Sequence, residues 1–245
     1  EQKRLEEFKN RRGCILKPRR KMNPSNNIEN AKYATALGNG FARKTYSYSG
    51  KNIIDIPLFS TAVFPSPENK NFQESRKNFV WIGGGGAVHK GLDLTLEAFS
   101  QMPDYQLTIC GPIATENDFV TCYHKELYSK PNIKLVGRID VQGEQFKKII
   151  NEAVGLVYPS CSEGQAGSVI VGMHAGLIPI VTYESGIDAE PFGIKLETAS
   201  VEEIMNSVRT ISELQKIELK KRAVATWTYA QEHHTKEKFK SIYAS

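Results

Sequence analysis

The stretch "VWIGGGGAVHKGLDLTLEAF", residues 80–99, joins an apolar run to a periodic one through four consecutive glycines. The apolar run predicts a buried strand, and Leu92, Leu96 and Phe99 recur at the spacing of one helix face. Consecutive glycines cost conformational entropy, but they let another group approach the backbone closely. The stretch therefore predicts a strand, a loop and a helix, with a ligand close to the loop.

Strands and helices continue to alternate beyond this unit. Strand patterns recur in "YQLTICG", "NIKLVG", "VGLVYPS" and "LIPIVTY". Helical patterns lie between them, including one continuous helix over "ENDFVTCYHKELYS", and two or three more helices follow "FGIKLE". This alternation is typical of an α/β fold in which a mostly parallel sheet carries helices on both faces.

The first quarter of the chain is less regular. It predicts a helix over residues 1–12, a strand in "AKYATALG", a helix from Asn39 to about Tyr48, and a strand in "KNIIDIPLF". The proline- and asparagine-containing residues 60–78 then mark a boundary. We predict a partial α/β segment over 1–62 and a larger domain over 63–245. Because the chain opens at Glu1 without an initiating Met, we interpret it as a piece of a longer protein.

Composition is that of a globular protein, with 40% hydrophobic and 24% charged residues among 245. No apolar run approaches the length of a membrane span. Four cysteines, at positions 14, 110, 122 and 161, lack the spacing of a zinc or redox motif. We therefore expect no metal site and a reducing, cytoplasmic location.

Much of the net charge of +5 comes from one segment near the N-terminus. Residues 9–21, here called the basic segment, contain Lys9, Arg11, Arg12, Lys17, Arg19, Arg20 and Lys21. The segment is interpreted either as a solvated surface or as a patch for an anionic substrate or the inner face of a membrane. Nucleic acid is not expected as a partner, because interleaved aromatic residues and a nucleic-acid motif are absent.

The glycines occupy the place where parallel α/β sheets bind ligands, beyond the carboxyl ends of the strands. Main-chain amides and the start of the next helix favour an anion there, and Lys90 adds a full charge. The spacing matches neither a dinucleotide fingerprint, since Val88 takes the third glycine position, nor a Walker motif, since Gly91 follows Lys90. The loop predicts an anionic ligand, and a flexible turn with a surface lysine is the alternative.

A second loop, "SCSEGQAGS" at residues 160–168, follows the strand "VGLVYPS". Glu163 could cap the following helix or complement its dipole. It could equally accept hydrogen bonds from sugar hydroxyls while the free amides of the helix start hold a phosphate. Together the two loops favour a phosphorylated sugar as ligand.

The segments "GGAVHKGLDLTLEAF", "LTICGP", "IKLVGRID" and "VYPSCSEGQAGSVIVGMHAGLIPIV" resemble the donor-binding half of a GT-B glycosyltransferase. Their order is similar to that in the large retaining family 4, also called group 1. The resemblance runs from about Phe79 to Glu190, and less tightly to the C-terminus. It implies a Rossmann-like sheet that forms the C-terminal half of a GT-B fold. Residues before Ser60 resemble the end of the N-terminal, acceptor-binding domain.

The resemblance also implies roles for matched residues. Lys90 corresponds to the lysine that binds the donor pyrophosphate, and Glu163 to the first glutamate of an E-x7-E motif that contacts the sugar; these are the expected catalytic residues. The expected donor-binding residues are Gly84, Gly85, Gly86, His89, Gly111, Arg138, Gly164, Gln165, Ala166, Gly167 and Ser168. No metal or other cofactor is expected.

Two positions differ from the family pattern. Val171 stands eight residues after Glu163, where the family has a second glutamate that holds the ribose hydroxyls. Gly85 stands about where the family has an arginine, which Arg138 or an N-terminal residue could replace. Both differences are compatible with a divergent active subgroup.

The expected function is transfer of a sugar, with retention, from a nucleotide-diphosphate-sugar donor to a saccharide or lipid-linked acceptor in polysaccharide or glycan synthesis. This chain alone is expected to have low activity. The alternative is a non-catalytic nucleotide-sugar-binding protein. A dehydrogenase is disfavoured by the incomplete glycine fingerprint and by the lack of an acidic residue at Cys110-Gly111. His233 and His234, on a charged C-terminal helix, are expected to be solvated.

Overall fold

The computed structural model describes residues 1–20 and 27–244, so Lys21 of the basic segment lies outside it. The strands are β1 Ala34–Leu37, β2 Ile53–Ile56, β3 Asn78–Ile82, β4 Gln106–Cys110, β5 Ile133–Gly137, β6 Gly155–Tyr158, β7 Ile178–Thr182 and β8 Ile194–Leu196. β1 and β2 form a small parallel sheet, and the other six form a second sheet in the order β5-β4-β3-β6-β7-β8. All pairs in the larger sheet are parallel, which confirms the predicted fold class.

The helices connect these strands as the alternating pattern predicts. They are α1 Gln2–Arg12, α2 Asn27–Asn30, α3 Gly40–Thr45, α4 Phe72–Ser75, α5 Leu92–Ser100, α6 Asn117–Cys122, α7 His124–Ser129, α8 Glu144–Glu152, α9 Gly167–His174, α10 Val201–Glu213, α11 Lys216–His233 and α12 Lys236–Tyr243. Helices of the described ranges are too short or too polar to cross a membrane.

The larger sheet lies in the middle of the hydrophobic core. Every residue of β6 and β7 is buried, as are the last four residues of β3, because helices cover both faces of the sheet. Strands covered in this way read as continuous apolar runs rather than alternating ones. This pattern is why the sequence identified the central strands well.

One predicted helix is broken. The continuous helix expected over "ENDFVTCYHKELYS" is divided into α6 and α7 at Tyr123. The fully buried Tyr123 ring lies 4.8 Å from that of Phe119 and 5.8 Å from that of Phe8, and its hydroxyl donates to Glu97 Oε1 at 2.5 Å. Tertiary packing of this one ring accounts for a break that helical periodicity does not predict.

The N-terminal residues pack against the larger sheet's helices. Phe8 of α1 is fully buried in the same core as the sheet, and Arg11 forms an ion pair with Asp93 of α5 at 2.6 Å. Arg12 likewise pairs with Glu126 of α7 at 2.9 Å. The division at residues 62 and 63 stays a prediction, and α1 is one of several places where the first part contacts the second.

The C-terminal helices return to the N-terminal part. α11 ends at His233, and α12 brings Phe239 within 5.2 Å of the ring of Phe59. His234 lies between these helices with only 4% exposure and donates from Nδ1 to the carbonyl of Leu58 at 2.9 Å. Burial lowers the pKa of His234 to about 4. The expectation that His234 is solvated is therefore wrong.

Candidate functional site

The two predicted ligand loops lie side by side. The first loop, residues 83–91, follows β3, and the second loop, residues 159–166, follows β6. Because β3 and β6 are neighbouring parallel strands, their carboxyl ends meet at one edge of the sheet. The topology therefore brings together residues that are more than 70 positions apart in sequence.

Lys90 and Glu163 join the loops in one cluster with Tyr158. The Lys90 ammonium forms an ion pair with Glu163 Oε1 and donates to the Tyr158 hydroxyl at 2.8 Å. That hydroxyl donates in turn to Glu163 Oε1 at 3.0 Å. Burial, and next the charge of Glu163, raises the pKa of Tyr158, so its hydroxyl keeps its proton near neutral pH. An ammonium has three donors, and two of those on Lys90 have protein acceptors.

Glu163 does not cap the following helix. Ala166 is the N-cap of α9, and its amide donates to the carbonyl of Ser185 at 2.9 Å. No acceptor within residues 1–20 and 27–244 bonds the amides of Gly167 and Ser168 at the start of α9. These amides are available to a ligand oxygen, beside the Lys90 cluster.

The first loop is organised differently, because a side chain already holds part of it. The buried carboxylate of Glu116 accepts from the amide of Gly86 at 2.6 Å and from that of Ala87 at 3.2 Å. A Cβ on Gly84 would have no atom within 4 Å, and one on Gly85 would meet only Glu116 Oε1, at 3.8 Å. The part of the loop open to a ligand is therefore Gly84 and Gly85 rather than Gly86.

The start of α5, just after the first loop, also has a carboxylate of its own. Asp93 lies fully buried in the first turn and pairs with Arg11 at 2.6 Å. Burial raises the pKa of Asp93 to about 6 despite the opposing charges of Arg4 and Arg11. Hence α5 meets a protein anion at its positive end, whereas α9 has no acidic residue in its first turn.

The remaining predicted residues are distributed around this cluster. His89 is buried, and its ring Nδ1 lies 3.6 Å from Cys161 Sγ, so it links the two loops. Burial is the main factor that lowers the pKa of His89, which leaves the ring neutral at pH 7. Gly111 packs against the backbone of Gly83 at the base of the first loop, where a Cβ would overlap the carbonyl oxygen.

Two of the predicted donor-binding residues lie away from Lys90. The side chain of Gln165 accepts from the amide of Leu58 at 2.5 Å, toward the N-terminal part. Arg138 follows β5, the edge strand two strands away from β3, and no hydrogen bond or ion pair joins it to another described residue. A third predicted residue, Gly164, packs through its carbonyl oxygen against Gly38 and Gly186, and a Cβ on either of these glycines would overlap that oxygen.

Two residues of this site, Tyr158 and Glu116, were missed by sequence reasoning, and a third was named only as a member of the basic segment. Tyr158 is the last residue of β6, so the strand-end rule that indicated Glu163 could have found it. The third is Arg20, whose Nε is 3.8 Å from the position of a Cβ on Gly86. Glu116 has no local signal, because its role depends on a contact across 30 residues.

Metal ligands are not grouped in this site. Within the described ranges, no cluster of three or more His, Cys, Asp or Glu side chains is placed to hold a metal ion. The polar groups at the loops are instead an ammonium, a carboxylate, a hydroxyl and main-chain amides. Such a set suits an anionic ligand that also carries hydroxyl groups.

The sequence matches the family model described as "Glycosyl transferases group 1" over residues 76–213. This match covers more than half of the chain, and the chain belongs to this family. The matched range contains both loops and all six strands of the larger sheet. No curated protein matches the chain.

Several solved structures have a similar fold. A mutant of TarM from S. aureus, in complex with fondaparinux, alpha-GlcNAc-glycerol and UDP, has a TM-score of 0.69 at 15% identity, over 89% of this chain and 44% of that one. HepE from Anabaena, in complex with UDP and glucose, has a TM-score of 0.69 at 14% identity, over 87% and 62%. A glycosyltransferase from Rickettsia africae has a TM-score of 0.71 at 14% identity, over 91% and 67%. The six-stranded sheet matches the GT-B fold, and this chain spans about half the length of the first two proteins.

Proposed function

We propose that the protein is a retaining glycosyltransferase of family 4, which transfers a sugar from a nucleotide-diphosphate-sugar donor to a saccharide or lipid-linked acceptor. The observation that carries the proposal is the Lys90–Glu163–Tyr158 cluster beside the free amides of Gly167 and Ser168. The family match supports sugar transfer as the type of reaction.

The chemistry of the reaction fits these groups. The bond between the sugar's anomeric carbon and the diphosphate oxygen breaks, a bond to the acceptor oxygen forms, and the acceptor's proton leaves to the departing phosphate. Negative charge gathers on that phosphate while the sugar ring becomes positive. The remaining donor of Lys90 and the α9 amides would stabilise the phosphate, and Glu163 would orient the sugar hydroxyls. No metal is part of this proposal.

UDP is the first nucleotide to test, because UDP is present in the TarM and HepE structures. Synthesis of a cell-surface polysaccharide or glycan, in the cytoplasm, is the setting we propose. If the basic segment contacts a membrane, fewer of its positive charges are free for that contact than the sequence alone suggests. Arg11, Arg12 and Arg19 all pair with carboxylates of this chain.

A second candidate is a nucleotide-sugar-binding protein without catalytic activity. It is motivated by Val171, a half-buried residue of α9 that packs against the core where the family pattern has a carboxylate. We favour the enzyme because the Lys90 cluster and the open start of α9 are both intact.

The test is titration calorimetry of the full chain with UDP and with GDP, together with an assay of sugar transfer. We expect binding by the wild type, a large loss in Lys90→Ala, and no change in the exposed control Lys220→Ala. The anomeric configuration of the product, measured by NMR, tests retention. Absence of nucleotide binding combined with unchanged activity in Lys90→Ala would refute the assignment, and binding with neither transfer nor donor hydrolysis would favour the second candidate.

A further inference from the structure

The surroundings of the first loop contain little unpaired positive charge. Lys90 is paired with Glu163, so together they carry no net charge. Glu116 adds a negative charge at the base of the loop, and Arg19, 3.4 Å away, offsets it while also pairing with Asp118. A sugar nucleotide brings about two negative charges in its diphosphate, and each needs a donor or a cation in a partly buried site.

Arg20 is a nearby cation that takes part in none of these pairs among the described residues. Its Nε lies 3.8 Å from the position that a Cβ would take on Gly86. It is also close enough to affect His89 and Tyr158: after burial and Glu163, its positive charge is among the influences on both pKa values. Arg20 therefore lies beside the first loop at Gly86, next to the open glycines 84 and 85.

The backbone around Arg20 is held in place by Glu1, whereas its guanidinium has no ion-pair partner among residues 1–20 and 27–244. The carboxylate of Glu1 accepts from the amides of Arg19 at 3.0 Å and of Arg20 at 2.8 Å. Arg11, Arg12 and Arg19 of the same segment each pair with a carboxylate. Across residues 1–20 and 27–244, the guanidinium of Arg20 has no such carboxylate.

The part of the first loop next to Gly86 is open. Gly84 and Gly85 are exposed, and neither has a packing neighbour that a Cβ would overlap. Lys90 belongs to the same loop, so a phosphate bound at these glycines would lie in the neighbourhood of both Lys90 and Arg20. A planar guanidinium with five donors is well suited to such a contact.

We propose that Arg20 binds the diphosphate of the donor and provides from the basic segment the positive charge that the first loop lacks at Gly85. This inference rests on the proposed function, since it assumes a nucleoside diphosphate as ligand. It gives part of the basic segment a role in the site.

The experiment measures binding of UDP, GDP and ADP to the full chain by calorimetry at low and at moderate salt. We expect Arg20→Ala to weaken binding about tenfold or more, as is typical for loss of a hydrogen bond between charged groups. Arg20→Lys should retain part of the affinity. Lys17→Ala is the matched control, because it removes one charge from an exposed residue of the same segment and should change affinity less than about twofold.

A second variant tests whether the position of the positive charge matters, by restoring an arginine at another place in the site. Gly85→Arg introduced into Arg20→Ala should recover most of the affinity, since position 85 has room for a side chain. Equal binding by wild type, Arg20→Ala and Lys17→Ala would overturn this inference and leave the proposed function standing. Absence of binding of all three nucleotides by the wild type would overturn both. Thermal unfolding of each variant checks that the fold is unchanged.

Discussion

The two loops of this site occupy equivalent places in the fold and are organised in opposite ways. Each follows one of two neighbouring parallel strands and precedes a helix, α5 or α9. In the first loop, the amides of Gly86 and Ala87 are already taken by Glu116, and Asp93 lies at the start of the next helix. In the second loop, the amides that begin α9 have no protein acceptor among the described residues. Part of the main chain of the first loop is thus hydrogen-bonded by the protein itself. The helix that follows the second loop begins with amides that could bond a ligand.

The glycines differ in the same manner. Gly91 has φ 72° and packs against Pro159, so a side chain there would overlap the backbone. Gly84 has no neighbour within 4 Å of a Cβ. The glycines of the first loop are therefore of two kinds. At Gly91 the fold leaves no room for a side chain, whereas at Gly84 nothing in the protein excludes one.

The largest expected effect is on transfer activity, and it comes from changing Lys90 and Glu163, the residues that join the two loops. Comparing the single and double variants shows whether the loops act as one unit. Lys90→Ala should lower transfer activity about 100-fold or more, comparable with removing a donor that stabilises transition-state charge. If Lys90 and Glu163 work as a pair, Lys90→Ala/Glu163→Gln should lose little more than the worse single variant. Steady-state kinetics of the three variants measures this, and multiplicative losses would show that the loops act independently.

The next effect concerns the glycines that the fold requires. Gly91→Ala should lower the free energy of unfolding by about 3 kcal/mol or more, because a Cβ at positive φ is strained and overlaps Pro159. The control Gly84→Ala should leave it within about 0.5 kcal/mol. Urea unfolding of both variants is the measurement. Equal losses would contradict the distinction between the two kinds of glycine.

The pH dependence of stability tests the role of Asp93, the buried carboxylate at the start of α5. Its pKa is raised from 3.8 to about 6 in the folded state, so its contribution to stability is complete below pH 3.8 and is lost as the pH rises through 6. From pH 4 to pH 7, wild-type stability should fall by about 2 kcal/mol relative to Asp93→Asn, which does not titrate. Urea unfolding at both pH values measures the difference, and a constant gap would show that Arg11 keeps the carboxylate ionised throughout.

The smallest expected effect is on stability, and it comes from changing Glu116, whose carboxylate bonds two amides of the first loop. Glu116→Gln keeps an oxygen acceptor but removes the charge, and should cost about 1–2 kcal/mol of stability through the amides of Gly86 and Ala87. The exposed control Glu213→Gln should change stability by less than about 0.5 kcal/mol. Hydrogen exchange at Gly86 should accelerate in Glu116→Gln alone.

Much of the fold could be predicted from the sequence, and less of the site. The central strands β3, β6 and β7 are apolar except at Asn78 and Thr182, where β3 begins and β7 ends, so their pattern is clear. The break at Tyr123 and the burial of His234 were missed, because both depend on rings and carbonyls from distant segments. For the site, Lys90 and Glu163 could be found from strand ends, whereas Arg20 and Glu116 could not.

By itself, the sequence determined the order of strands and helices, the edge of the sheet at which the candidate site lies, and the two residue types, lysine and glutamate, that meet there. These properties follow from local periodicity and from the rule for parallel strands. Tertiary structure decided which glycines are required and, within the part of the chain that the structure describes, which helix-start amides lack an acceptor and which arginine of the basic segment lacks a carboxylate partner. Each of these depends on a partner tens of residues away, as for Glu116 and Gly86, and a local pattern contains no information on such a partner.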